Sequence, residues 1–213
     1  MLLNADMETL KLEKIQQAEE FFNHIGKKDL RFFGIAGSVS YEPNSADDVD
    51  IFIITERGKL WKVLLKSFLA RRKVGNESIC ISLTMDEEFA ANLFRKEAEY
   101  VVASDAVHVI RLFGATYYEN LLSISPFVER YFPNQIKGTV YLPDCVPTWL
   151  DSIFNCALFL LLAPYLIIRS LRNSRRLSKV DLEREFKVRI GVGHFYFDSV
   201  KYRNLKMKKE GGI

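Results

Sequence analysis

The stretch FFGIAGSVSYEPNSADDVDIFIIT, Phe32 to Thr55, holds an apolar run, a Gly37-Ser38 break, a polar loop, and a second apolar run opened by Asp48-Val49-Asp50. Leu30 to Ala36 and Val49 to Thr55 are short and dense in β-formers, and Pro43, Asn44 and Ser45 are turn residues, so two strands joined by a loop are expected. Side chains at i and i+2 of a strand share a face. Asp48 and Asp50 therefore project together while Val49, Ile51 and Ile53 point into a core. Two adjacent carboxylates repel, and both stay ionised when a cation holds them. Hard oxygen ligands of this kind suit Mg²⁺, or Mn²⁺ in its place, which takes a few carboxylates together with the phosphate oxygens of a substrate. Gly37 lets the backbone approach a phosphate, and the Ser38 hydroxyl and neighbouring N–H groups can donate to it. Such a composition fits phosphoryl or nucleotidyl transfer, where catalysis is mainly positioning and charge neutralisation. A lone D-x-D recurs by chance. The weight lies in the order strand, Gly-Ser, nine residues, D-x-D, strand, helix.

Outward from this stretch, apolar positions recur at helical spacing from Met7 to His24, with Gly26 as the stop. Leu60 to Arg72 reads as a helix, Ser78 to Met85 as a third strand and Glu87 to about Ala106 as a helix. Ala106 to Ser123 reads as two more helices broken at Gly114. The segment PNQIKGTVYLPDCVP, Pro133 to Pro147, holds three prolines and a glycine and reads as a linker. It divides a region 1–134 from a region 135–213, the latter expected to be helical with an apolar helix and a basic tail.

The chain of 213 residues is 48% hydrophobic and 27% charged, enough for a buried core. Its net charge of +3 means that any anionic partner must be met by a local patch. The three cysteines, Cys80, Cys145 and Cys156, lack zinc-site spacing and read as reduced thiols. The N-terminal stretch lacks the apolar core and cleavage site of a signal peptide, so a cytoplasmic location is expected. Walker A, G-x-S-x-G and H-E-x-x-H motifs are all missing, which removes support for the common NTPase, hydrolase and zincin chemistries. His24 and His108 sit on helical segments and read as packing or surface residues. His194, beside Gly193, Tyr196 and Asp198, is a candidate for a substrate-side role as well as for packing.

Trp149 to Ile168 is strongly apolar, interrupted by Asp151, Asn155 and Pro164. It reads either as a buried helix or subunit contact, with a homo-oligomer formed through 149–172, or as a membrane-associated segment. Arg169, Arg172, Arg175, Arg176 and Lys179 follow it and would put several cations on one side of a continuing helix. They could form a solvated face, or hold the phosphates of a nucleic acid or of lipid headgroups.

The pattern GIAGSVSYEPNSADDVDIFIIT resembles the nucleotidyltransferase superfamily of DNA polymerase beta, especially its small prokaryotic members. The resemblance extends, more weakly, through RGKLWKVLLKSFLARR to IRLFGATYYENLLSISPFVERYFPN, covering roughly Leu30 to Asn134. It implies an α+β fold with a small mixed sheet flanked by helices, and a helical C-terminal region. It also implies Asp48 and Asp50 as ligands of a divalent metal, and Gly37 and Ser38 as contacts to the triphosphate of a nucleoside triphosphate. The acceptor would be a hydroxyl of RNA, protein or a small molecule. Family members carry a third acid on a neighbouring strand, but here the strand ESICISLTMD has Cys80, Ser82 and Thr84 on its polar face. Asp86, which shares their parity, is the expected third catalytic carboxylate, with Glu77 at the other strand end as the alternative. Without a third acid, the same site fits a catalytically weak or inactive nucleotide-binding or interaction module.

Overall fold

The structure, a computed structural model, describes residues 2–41, 43–45, 47–75, 78–135, 146–178 and 186–199. Helix α1 (Leu2–Ile25) is followed by strand β1 (Leu30–Ala36), the short helix α2 (Ser38–Tyr41) and strand β2 (Val49–Thr55). Next come α3 (Leu60–Val74), β3 (Ile79–Asp86), α4 (Glu87–Phe94), α5 (Tyr100–His108), β4 (Ile110–Phe113), α6 (Ala115–Ser123) and α7 (Pro126–Tyr131). The long helix α8 (Trp149–Ser178) and the strands β5 (Phe186–Gly191) and β6 (His194–Ser199) complete the described chain. The strands form one mixed sheet in the order β4-β1-β2-β3-β6-β5. The fold is α+β, with helices against both faces of the sheet.

Strand parity decides what each face buries. Phe33, Ile35, Ile51, Ile53, Ile79 and Ile81 meet Phe21 of α1, Trp61 and Leu64 of α3, and Leu166 of α8. Phe32, Phe52, Ile54 and Met85 meet Ala90 and Phe94 of α4, Ala103 of α5, Tyr118 of α6 and Phe127 of α7. Strand β2 lies in the middle and is buried on both sides, so its continuous apolar run follows from its position.

Three expectations change. The expected single helix from Glu87 is two, α4 and α5, and neither glycine nor proline marks the break. The first of the two helices expected between Ala106 and Ser123 gives way to strand β4, which pairs antiparallel with β1. It fits there because Gly34 has no side chain: a Cβ at that position would lie 2.5 Å from the Ile110 carbonyl oxygen. The third change is at the C-terminal end. Helix α8 is present, but 186–199 is a β-hairpin rather than helix, and β6 pairs with β3 through Leu83↔Tyr196, Thr84↔Phe195 and Met85↔His194. The regions 1–134 and 135–213 thus share one sheet. Of the expected linker, residues 136–145 lie outside the described residues, as does the basic tail beyond 199.

A buried amide ties α8 and the hairpin to the rest. The Asn155 side chain, 2% exposed, accepts from the Trp61 backbone N–H at 2.9 Å and donates to the Val192 carbonyl at 3.2 Å. The Trp61 N–H belongs to the first turn of α3, where no intrahelical acceptor exists. The Trp61 indole N–H adds a bond to the Gly191 carbonyl at 3.2 Å. Asn155→Leu leaves the buried Trp61 N–H unpaired, at about 1–3 kcal/mol, and removes the bond to the more exposed Val192 carbonyl. The expected outcome is a loss of about 2–4 kcal/mol in urea unfolding, with earlier amide exchange in 186–199 than in β1 and β2.

Candidate functional site

Strands β2 and β3 run parallel, so both begin at the same end of the sheet, and β1, antiparallel to β2, finishes there. That edge brings together Gly37-Ser38 after β1, Asp48 and Asp50 at the mouth of β2, and Ser78 to Cys80 at the mouth of β3. Ala36 pairs with Asp50, and Asp50 pairs with Cys80. Val49, Ile51 and Ile53 go into the α1/α3 layer as strand parity requires. Asp50 points to the opposite face.

Gly37 adopts φ +72°, and a Cβ there would come within 2.5 Å of Asp50 Oδ2. Only glycine meets both conditions, the left-handed backbone and the empty space beside the carboxylate. The turn is closed by Ser40, whose backbone N–H and hydroxyl donate to the Gly37 carbonyl at 3.1 and 2.6 Å. Ser38 is left exposed. Tyr41, at the end of α2, donates its hydroxyl to Asp105 at 2.7 Å and stacks on His108 with ring centroids 4.7 Å apart, which docks α2 on α5. His108 is thus a packing residue.

Burial pushes the Asp50 carboxyl up to about 6; the Cys80 thiol and Ser82 hydroxyl oppose the rise by hydrogen bonding, and the charges of Asp48 and Asp47 add to it. The same burial and the Asp50 charge push the Cys80 thiol well above its usual range. Asp48 is exposed at the strand mouth. Two residues that sequence reading missed brace this edge from α1. The ammonium of Lys14, 5% exposed, donates to the Asp47 carbonyl, and Gln17 accepts from the Ser78 hydroxyl at 3.2 Å. Asp47, also missed, caps its own loop by accepting from the Asn44 N–H at 2.9 Å. The Asp47 backbone N–H returns a bond to the Asn44 carbonyl at 3.1 Å, which closes the turn.

Asp86 is not brought to this edge. It pairs with Thr55, at the far end of β2, roughly 17 Å from Asp50 at about 3.3 Å per residue. It also lies on the other face. A β-bulge places Ile81 opposite Ile51 but Leu83 opposite Phe52, so Ser82 is the extra residue and parity reverses beyond it. Asp86 instead caps α4, accepting from the Phe89 N–H at 2.8 Å, and abuts the hairpin turn, where a Cβ on Gly193 would lie 2.7 Å from its Oδ2. Its role is structural. His194 lies at the same far end, stacked on Phe89 at 4.3 Å, with its pKa lowered by burial. Glu77 falls outside the described residues; the chain puts it one residue before Ser78, whose carbonyl accepts from the Val49 N–H at 2.7 Å.

The donor set fits Mg²⁺ in one mode. Among the described residues no group of three His, Cys, Asp or Glu is placed to hold a metal alone. Two carboxylates at one edge match a cation that takes one or two protein oxygens and completes its shell with water and substrate phosphate. Cys80 and Ser82, on the strand where a third acid is implied, hydrogen-bond Asp50 but add no charge.

Because its folded-state value lies above the ordinary carboxyl value, Asp50 stabilises the fold at low pH, and that contribution is lost as pH rises through about 6. In metal-free buffer, Asp50→Asn should therefore gain over the native chain with rising pH. The advantage is expected to be under about 1 kcal/mol near pH 4 and about 2–3 kcal/mol near pH 8, read from urea midpoints at each pH. A flat difference across that range would remove the buried ionisation. Comparison with protein-family models, with curated proteins and with solved structures gives no match, so what the site does rests on its own geometry.

Proposed function

We propose that the chain is a Mg²⁺-dependent nucleotidyltransferase acting on a nucleoside triphosphate. The observation that carries this reading is the seating of Gly37 against Asp50, which sets the exposed Ser38 and the Asp48/Asp50 carboxylates on one sheet edge. Asp48 and Asp50 would hold the cation, which when bound neutralises charge on the phosphates. Gly37 and Ser38 orient the triphosphate. An acceptor hydroxyl attacks the α-phosphorus, its proton passing to solvent, and the new ester bond forms as the bond to pyrophosphate breaks. Burial pushes the Asp50 carboxyl up, and a cation held there would favour its ionised form.

A cleft of about 720 Å³ opens on the face of the sheet opposite to the one Asp50 points to. It lies between α3, α8 and the sheet, and its wall includes Cys80, next to Asp50, together with Arg71, Arg72, Arg169, Phe195 and Phe197. Arginines beside aromatic rings suit a phosphate-bearing molecule there, and the acceptor stays a hydroxyl of RNA, protein or a small molecule. The reading places the protein in the cytoplasm, where nucleoside triphosphates are available.

One observation favours a second reading. Cys80 and Ser82 stand where the resemblance implies an acid, and Asp86 is at the far end of the sheet, which suits a module that binds Mg-nucleotide without transferring it. Incubation with labelled nucleoside triphosphates, Mg²⁺ or Mn²⁺, and cell RNA or protein separates the two. Asp48→Asn/Asp50→Asn should lower transfer by roughly 100-fold or more, while Asp86→Ala should keep it within about threefold and lose about 1 kcal/mol of stability with the cap. A third acid supplied by Glu77 predicts that Glu77→Gln abolishes transfer but leaves nucleotide binding intact. Label transfer that survives the double substitution overturns the catalytic reading. Metal-dependent nucleotide binding with no transfer establishes the second.

A further inference from the structure

Helix α8 is inverted in polarity. Its inward side carries Asn155, Ala163, Leu166, Ser170 and Ser174, and the hydrogen-bonding members face the protein: Asn155 as described, and Ser174, whose Oγ accepts from the Phe186 N–H at 3.1 Å. Its outward side is apolar. Leu150, Phe154, Ala157, Leu161, Pro164, Ile168 and Leu171 follow one another at alternating spacings of four and three, the pattern of a helix-pairing seam. All seven are exposed, Leu161 at 72%. The seam runs about 32 Å along the helix.

We propose that this face is covered by the same face of a second copy of the chain, the two α8 helices packing antiparallel about a two-fold axis near Leu161. Ten large apolar side chains from Trp149 to Leu171 are roughly half exposed. At about 150–250 Å² for a full aromatic side chain and less for leucine, they present roughly 1,000 Å². That exceeds the largest apolar patch of an ordinary monomer, about 300–600 Å². It matches the roughly 800 Å² that each partner contributes to a stable interface.

Charge sets the direction. Between Trp149 and Ile168 the one charged residue is Asp151, which is tied to Lys59. Arg172 is exposed on the same outward side, and a parallel pair would set it against its own copy. An antiparallel pair sets it instead at the Leu150 end of the second copy, away from its own symmetry mate, with Trp149, 71% exposed, one residue beyond. A lipid surface is the competing occupant, since α8 is long and apolar enough to cross a membrane by length and composition. Two features favour the second copy. The basic residues stand at one end and do not flank the seam, as an in-plane membrane helix requires. Crossing a bilayer would pull Asn155 away from Trp61 and Val192.

The test uses the full chain with Cys145→Ser and Cys156→Ser. Light scattering at tens of micromolar should give twice the 24.6 kDa chain mass. Leu161→Glu enters a symmetric interface twice and should raise the dissociation constant by at least about 100-fold, with the far-UV spectrum and melting midpoint close to those of the parent. Should that variant fail to fold, single cysteines keep the outcome readable. Under mild oxidation Leu161→Cys, near the axis, should cross-link across the pair, and Leu150→Cys, about 30 Å from its symmetry mate, should not. A monomeric parent chain overturns the proposal, and its flotation with anionic phosphatidylglycerol vesicles would identify lipid as the occupant. Equal cross-linking at both positions overturns the antiparallel arrangement.

Discussion

Everything at the candidate site follows from the central place of β2. A strand buried on both faces can carry a polar group only where it enters the sheet, and Asp50 sits there, one step inside the first paired residue. The antiparallel partner β1 must end at the same edge, so whatever follows β1 is set against that carboxylate. Glycine follows it. With any side chain at position 37, either the turn into α2 or the ionised Asp50 would have to move. The parallel partner β3 begins at the edge as well and lends Cys80 and Ser82 as neutral donors. Three strand ends thus converge on one half-buried charge, and α1 holds the converging loops through Lys14 and Gln17.

That carboxylate is held at a cost. Burial and two neighbouring aspartates work against its ionisation, while a thiol and a hydroxyl compensate in part. A packed core would do better with an uncharged residue at such a position. Retaining the charge is coherent if something cationic joins the edge, because the same burial that penalises a bare carboxylate strengthens its attraction for a cation. Asp48, in water at the strand mouth, can follow a cation without a comparable penalty. On the proposed reading the pair would divide the work between a fixed buried ligand and an accessible one.

The part of the fold around this edge was legible because it is punctuated. Apolar runs bounded by Gly37, the Pro43-Asn44-Ser45 turn and Gly58 gave β1 and β2 their ends, and burial on both sides of β2 left no helical periodicity to confuse it. What escaped did so for identifiable reasons. β4 is four residues long, contains Arg111, and is a strand only because Gly34 lets it approach. The hairpin alternates plainly, Phe186, Val188 and Ile190 against Lys187 and Arg189, with Gly191 and Gly193 framing its turn. Asp86 was misplaced by a single inserted residue. Counting parity along β3 assumes an unbroken pleat, and the bulge at Ser82 carries no sequence mark, so every position beyond it is assigned to the wrong face.

Helix α8 shows the same limit in hydropathy. A segment this apolar reads as buried or as lipid-facing, and both readings assume that the polar residues point to water. Here they are the anchors. Asn155 completes the first turn of α3 and the hairpin turn together, and Ser174 takes the first N–H of β5, so these two inward side chains serve backbone groups that would otherwise be orphaned. Once those groups face inward, geometry forces the leucines and isoleucines outward. The exposed face is therefore a consequence of how the hairpin is attached, and a helix with water-facing polarity could not hold β5 and β6 against the sheet.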